Sequence, residues 1–380
     1  MGAAKMYSLN LDTNAFLRDY WQKKPLLIKN AFPHFEEIIS PDELAGLACE
    51  EEVSSRVVVT KDNDWQICQG PFEDYDQFGS SHWQLLVQAL NHWHPDSANF
   101  IDAFRFIPDW RFDDLMASFA TPGGGVGAHI DNYDVFIIQG EGERHWTVGE
   151  KGQYAPKNND PTTPLIEGFT PIIDVVLEKG DMLYIPPGYP HQGQTLTTAM
   201  SYSIGYRAPS QQELFSALAD ALIDTNTGLK RFTSTSEPTV ANQVSVSHQQ
   251  DMMALISELA SSPESYQTML GNMLSENRFE LDLCEPEEPY TADMLKDDIE
   301  QGALLCRIGG LKLLQLENDS LSRVFINGEP FVHPENITAD VTILANSCSF
   351  AAEKTKQLLQ NVATQELIVT LLNRGYFYLG

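Results

Sequence analysis

The sequence predicts an α+β chain in three parts: a β-rich sandwich or barrel over residues 1–208, a helical connector over 209–285, and a compact mixed module over 286–380. Three observations carry this. Between Leu115 and Tyr206, short β-branched and aromatic runs alternate with glycine and proline, the texture of an antiparallel sandwich or barrel. After Arg207-Ala-Pro-Ser210 the apolar spacing becomes helical. From Pro286 onward helical and extended patterns mix. With 380 residues, 42% of them apolar, the chain exceeds one ordinary domain and can bury a sizeable core.

Ser40-Pro-Asp-Glu43 is a capping box with proline at the first helical position, and predicts a helix running toward Glu51. A second helix is expected from Ser81 to Trp93. Strands follow at Val135 to Gln139, His145 to Val148, Pro171 to Leu177, Met182 to Ile185 and Ser201 to Tyr206. Helices are expected over Glu213 to Asp224, Gln250 to Ala260 and Ser265 to Ser275, with a Ser/Thr-rich loop from Thr225 to His248. The last part reads as a helix from Ala292 to Gln301, strands at Leu304 to Ile308, Lys312 to Leu316 and Arg323 to Ile326, and a helix from Lys354 to Asn373. That order fits a small winged-helix-like module.

Composition narrows the function classes. No stretch approaches the ~18 apolar residues of a membrane span, and the opening residues lack the layout of a signal peptide, so a cytoplasmic protein without membrane contact is expected. The five cysteines are scattered and never form C-x-x-C, which favours neither a disulfide framework nor a zinc ribbon. A formal charge of −29 opposes nonspecific attraction to nucleic acid and favours a cationic partner. Between Gly70 and Glu143 there are twelve Asp or Glu against Arg105 and Arg111 alone. If that stretch surrounds a site, its field would draw in a basic polypeptide. Trp83, Trp93, Trp110 and Trp146 are interleaved with acids and are expected in the core.

Gly123-Gly-Gly-Val-Gly-Ala-His129-Ile-Asp131 places a histidine and a carboxylate two residues apart after a glycine run. In an extended chain residues i and i+2 face the same way, so both can grip one ion. The spacing alone is weak: His34-Phe-Glu36, His94-Pro-Asp96 and His333-Pro-Glu335 share it. Gly180-Asp-Met-Leu-Tyr-Ile-Pro-Pro-Gly-Tyr-Pro-His191 distinguishes the first pair, because a turn, a short apolar strand and a bend can return His191 to its neighbourhood. Two histidines and one carboxylate on one face of a metal are the donor set of non-haem iron(II) oxygenases.

GGGVGAHID and GDMLYIPPGYPHQG, followed by SYSIGYRAP, resemble the JmjC-domain ribosomal oxygenases, the branch that hydroxylates an arginine of a bacterial large-subunit ribosomal protein. The likeness extends from WQKKPLLIKNAF through NHWH and PDWRFDDLM into the last regions. It implies a double-stranded β-helix (cupin/JmjC) catalytic domain with N-terminal helices, a helical dimerisation region making a homodimer, and a winged-helix-like end. It implies iron(II) held by His129, Asp131 and His191, and 2-oxoglutarate held by Arg144 with help from Ser118. Molecular oxygen is the second co-substrate, a basic ribosomal protein the partner, and succinate and carbon dioxide the products. Ser201 stands where asparagine is expected in near relatives, and His145, by alternation, should face away from Arg144.

Two other classes compete. A cupin-like zinc or manganese isomerase or passive metal binder would share the fold, and oxygen-dependent succinate formation separates it from an oxygenase. A DNA regulator would use the last module, but residues 286–380 hold seven Lys or Arg against thirteen Asp or Glu, the wrong footprint for duplex DNA. A phosphate loop at Gly123 to Gly127 fails because no G-K-[ST] follows.

Overall fold

The computed structural model describes residues 7–61, 64–159, 164–234, 240–319 and 321–380. The first half carries strands β1 (Leu26–Ile28), β2 (Ser55–Lys61), β3 (Asp64–Gln69), β4 (Trp83–Val87), β5 (Phe112–Ala120), β6 (His129–Ile130), β7 (Asp134–Gln139), β8 (Arg144–Gly149), β9 (Pro171–Leu177), β10 (Met182–Ile185), β11 (Pro190–Thr195) and β12 (Ala199–Tyr206). They pair antiparallel into two sheets, ordered β1-β10-β7-β12-β5-β4-β2-β3 and β6-β11-β8-β9.

Strand alternation gives the large sheet two different faces. Leu85, Val87, Leu115, Ala117, Phe136, Tyr202 and Tyr206 pack outward against Phe16 of the helix Thr13–Asp19, Phe100 of the helix Ser97–Asp102 and Phe104 just beyond it. Their neighbours in sequence, including Gln84, Leu86, Met116, Ser118, Ile137 and Ser203, point between the sheets and line a cavity. Part of that inner face meets the small sheet through Val135, Trp146, Val148, Leu177 and Leu183.

This double burial explains the main departure from expectation. Trp83–Val87 is not a helix but strand β4, buried at every position and flanked by β2 and β5. A strand covered on both faces loses its polar alternation, so its period cannot be told from that of a buried helix. Only Leu90–Trp93 is helical, after Ala89 adopts a left-handed conformation at φ 51°. The β2–β3 hairpin was also not anticipated.

Local signals held better. Ser40 and Glu43 form both bonds of the capping box, although the helix, Pro41–Leu47, stops short of Glu51. A second capping box, Ser210 with Glu213, opens the helix Gln211–Asp224. Two further helices, Val246–Ala260 and Pro263–Ser275, complete the connector. Ser245 caps the former, so its first turn reaches into the expected loop and includes His248.

The last part contains β13 (Leu305–Arg307), β14 (Leu313–Gln315), β15 (Arg323–Ile326), β16 (Glu329–Val332), β17 (Ser349–Phe350) and β18 (Phe377–Leu379). They form the small sheets β17-β13-β18 and β14-β15-β16, packed with the helices Ala292–Glu300, Thr338–Asn346, Ala352–Leu358 and Val362–Asn373. Leu295, Ile299, Val341, Ile368 and Leu371 make a separate core. The single helix expected over Lys354 to Asn373 is two, because Asn361 caps a new start by accepting from the Ala363 amide.

The C-terminal part also grips the barrel. His92 Nδ1 donates to the Glu280 carbonyl at 2.7 Å, and Arg105 Nη1 to the Asn346 carbonyl at 2.8 Å.

The cysteines are unpaired, and none is fully buried. Trp83 and Trp146 are buried and Trp93 packs against the core, but Trp110 is 38% exposed, against expectation. Among the described residues no helix is long and apolar enough to cross a membrane.

Phe136 joins the outer aromatic layer to the strand beside the cavity. Phe136→Ala should cost about 3–5 kcal/mol in chemical denaturation, and a loss below about 1 kcal/mol would contradict this packing.

Candidate active site

β6 and β11 pair with His129 directly opposite His191. Asp131 follows one residue after β6, and the Gly188 amide anchors its carbonyl at 2.9 Å. Asp131 Oδ2 lies 3.7 Å from His129 Nε2 and 3.6 Å from His191 Nε2. The three donor atoms fall within 4.8 Å of one another, and this is the one such cluster found among the described residues. Among the described residues, none of the other three H-x-[DE] pairs gathers a third ligand.

Protonation suits the donors to a cation. His129 Nδ1 meets the Gly127 carbonyl at 3.0 Å, and His191 Nδ1 meets the Tyr189 carbonyl at 3.1 Å. A carbonyl only accepts, so each Nδ1 carries the proton and each Nε2 lone pair turns toward Asp131. Burial, reinforced by neighbouring His129, pushes the His191 imidazole down to about 4, which keeps it neutral at pH 7. The Tyr133 hydroxyl bonds Asp131, and burial together with that carboxylate raises the phenol, so it stays a donor.

Glycine is required where the backbones close in. A Cβ on Gly125 would meet the Gly193 carbonyl oxygen at 2.4 Å. Gly127, at φ 84°, lies under the Trp65 ring, 2.7 Å from where its Cβ would be. The glycine run therefore lets the loop before β6 pass beneath neighbouring groups.

Arg144, on β8, is the second feature. It is 3% exposed, donates from Nη1 to Ser201 Oγ at 2.9 Å and from Nη2 to Gln84 Oε1 at 3.0 Å, and has no partner at Nε. Ser118 Oγ lies 2.8 Å from Ser201 Oγ, so the two hydroxyls share a bond. No carboxylate compensates this buried cation among the described residues, and burial pushes the guanidinium down to about 10. Such a charge is costly unless an anion enters beside it. His145 faces outward as expected, with Nε2 2.6 Å from Asp174 Oδ1.

Gln84 was missed because its strand reads as a helix. Its only sequence signal is a polar residue inside an apolar run. Ser201 proves to be a direct partner of both Arg144 and Ser118.

The donors and Arg144 open into one cavity of about 470 Å³. Its charged lining is Arg56, Arg144, Arg207 and Arg278 against Asp113, Asp114 and Asp131. The acidic stretch from Gly70 to Glu143 thus sends few of its carboxylates to the site, and the lining is not a strongly negative funnel.

A metal-ready His-Asp-His cluster and an uncompensated arginine, placed between the two sheets of a barrel, define a 2-oxoacid-type oxygenase centre. The chain belongs to the JmjC-domain ribosomal oxygenases. The JmjC domain model matches residues 99–214, and the ROXA-like winged helix matches residues 249–378. The chain is 43% identical to the ribosomal protein uL16 3-hydroxylase of Escherichia coli, over 98% of its own length and 99% of that protein's. It is 34% identical to a probable ribosomal oxygenase of Haemophilus influenzae, over 83% and 80% of the two chains. An X-ray structure of E. coli YcfD aligns with TM-score 0.92 and 42% identity, covering 99% of this chain and 100% of that one. YcfD in complex with cobalt and 2-oxoglutarate aligns with TM-score 0.89 and 42% identity, covering 98% and 99%.

Arg144→Met should leave the ligand-free thermal midpoint near that of the parent, because it removes an uncompensated charge. It should weaken dicarboxylate binding in the presence of divalent metal about ten- to more than hundredfold, equivalent to about 1.5–3 kcal/mol. Calorimetric titration checks this, and unchanged affinity would refute the anion role.

Proposed function

We propose that this chain is an iron(II)- and 2-oxoglutarate-dependent hydroxylase of an arginine side chain in a large-subunit ribosomal protein. The observation that carries the reading is the opening of the His-Asp-His cluster and the uncompensated Arg144 into one cavity. The names of the relatives support it: one is a uL16 3-hydroxylase, and YcfD has been crystallised with cobalt and either 2-oxoglutarate or succinic acid.

His129, Asp131 and His191 hold the iron, and Arg144, aided by Ser118, takes the far carboxylate of 2-oxoglutarate. Iron and 2-oxoglutarate, when bound there, would supply the oxidising power for a hydroxylation that consumes molecular oxygen and releases succinate and carbon dioxide. The protein's own task is orientation and shielding. Ser201 and Gln84 fix the Arg144 fork, while the Trp146 ring packs beside His191 at 6.2 Å between centroids.

Asp113 is already shared by Arg207 and Arg278 at 2.9 Å each, whereas Asp114 sits 4.0 Å from Arg278. Burial, and then neighbouring Asp113, push the Asp114 carboxyl up to about 6. An incoming guanidinium would relieve that burden, which makes Asp114 the carboxylate suited to a cationic target.

The three-part division at 208/209 and 285/286, a cytoplasmic location and a homodimer belong to the same reading. For the dimer, the connector leaves Phe215 61%, Ile223 74%, Val246 69% and Met253 59% exposed, large apolar side chains that a second copy would cover. The acidic C-terminal module remains unsuited to duplex DNA.

Incubation with iron(II), 2-oxoglutarate, oxygen and arginine-containing fragments of large-subunit ribosomal proteins should add one oxygen to an arginine, read by mass spectrometry. His191→Ala should abolish this while keeping the far-UV signature of the fold. Oxidation confined to histidine, lysine demethylation, or full iron-dependent activity in the variant would overturn the assignment. Light scattering should give a dimer for the parent and a smaller species for Phe215→Glu, whereas a parent monomer at micromolar concentration would exclude the connector as a dimer interface.

A further inference from the structure

The catalytic cavity continues into a second cleft of about 630 Å³. Asp113, Asp131, Tyr133, Pro164, Arg207 and Arg278 line both, so one space opens into the other. One bank of the cleft is barrel, with Trp110 and Arg111 just before β5 and Arg207 just after β12. The opposite bank comes from the C-terminal half: Met273 and Leu274 near the end of the helix Pro263–Ser275, Arg278 beyond it, and Lys312 just before β14.

Several of the charges there are already satisfied. Asp113 holds Arg207 and Arg278, Arg111 is paired with Asp134 at 3.1 Å, and Glu213 accepts from the Ser210 amide at 2.6 Å to cap its own helix. Lys312 has no hydrogen bond or ion pair among the described residues. It lies partly buried within the influence of Asp113 and Arg278, and desolvation pushes its ammonium down. Its Nζ is not among the fully buried unpartnered atoms, so it faces the cleft and can donate to an oxygen that enters there. Trp110 on the barrel bank, with its exposed ring, and Met273 and Leu274 on the same bank as Lys312 offer a place for an apolar side chain.

A target side chain that reaches the metal from a polypeptide leaves its main chain at the cavity mouth. At about 3.3 Å per extended residue, that main chain must run on along the surface, and the cleft is continuous with the mouth. We propose that the cleft carries the polypeptide segment flanking the target residue, with Lys312 donating to a main-chain carbonyl and Trp110, Met273 and Leu274 packing an adjacent apolar side chain. This rests on the protein-hydroxylase reading. It makes the C-terminal half one bank of the substrate site.

The test compares two fragments of a ribosomal protein that the parent hydroxylates, one of about twenty residues that can run on from the cavity mouth, and one trimmed to about five, which leaves only about 7 Å of extended chain on either side of the target. Lys312→Met should raise KM for the long fragment about tenfold or more, the scale of a lost charge-assisted hydrogen bond, with kcat within about twofold. It should leave KM for the short fragment near that of the parent, and Lys312→Arg should recover most of the loss. Trp110→Ala, at an exposed position, should show the same dependence on length and serves if the lysine variant folds poorly. Equal KM for variants and parent on the long fragment, or equal loss on both fragments, would overturn the cleft assignment alone. Absence of turnover of any fragment by the parent would instead sink the hydroxylase reading beneath it.

Discussion

β6 and β11 run antiparallel with His129 opposite His191, and what the site can do depends on that register. Side chains alternate along a strand, so a slip of one residue in β11 would turn His191 away from the cavity and bring Pro190 or Gln192 opposite His129. The pairing is short on the β6 side, only His129–Ile130, and is held from β8 on the other flank of β11, where Gln192 pairs with Thr147 and Gly193 with Trp146. The glycines before His129 serve the same register, since Gly125 rests against the Gly193 carbonyl and any Cβ there would force the strands apart.

The large sheet supplies the second half of the chemistry by separating two incompatible environments across one layer. Its outer face is an aromatic core, whereas its inner face carries Gln84, Ser118 and Ser201 toward Arg144. These strands are buried on both sides, so a polar residue on the inner face must find a partner within the cavity. Arg144 gives Gln84 and Ser201 that partner while remaining without a carboxylate of its own. The sheet thus stabilises a cation whose charge is still available to an incoming anion, in place of an ion pair that would already be satisfied.

The C-terminal half is tied into this arrangement by charge as well as by packing. Arg278 comes from beyond the last connector helix, yet shares Asp113 with Arg207 from the barrel. Removing the C-terminal half would leave Asp113 one cation short and open the cavity mouth on the side where Lys312 stands. The barrel and the acidic module therefore form adjoining walls of one space, which gives the module a structural role that needs no nucleic acid.

The residue pattern by itself determined the features that depend on short range: the Ser40 capping box, the short β-branched and aromatic runs that form β7, β8, β9, β10 and β12, and the His129/Asp131 spacing with its glycine run and distant His191. Arg144 and Ser118 were legible only through resemblance to a family. Tertiary structure alone decided that Trp83–Val87 is a central strand, because burial on both faces erases the period that separates strand from helix. It also decided the roles of Gln84, Ser201, Arg278 and Lys312, whose partners lie far away along the chain. Trp110 shows the same limit from the other side, since composition favours burying an indole, and only the path of the chain around β5 leaves this one at the rim of a cleft. Local sequence encodes backbone conformation and spacing, whereas the surroundings of a side chain are fixed by segments that meet only once the sheets have closed.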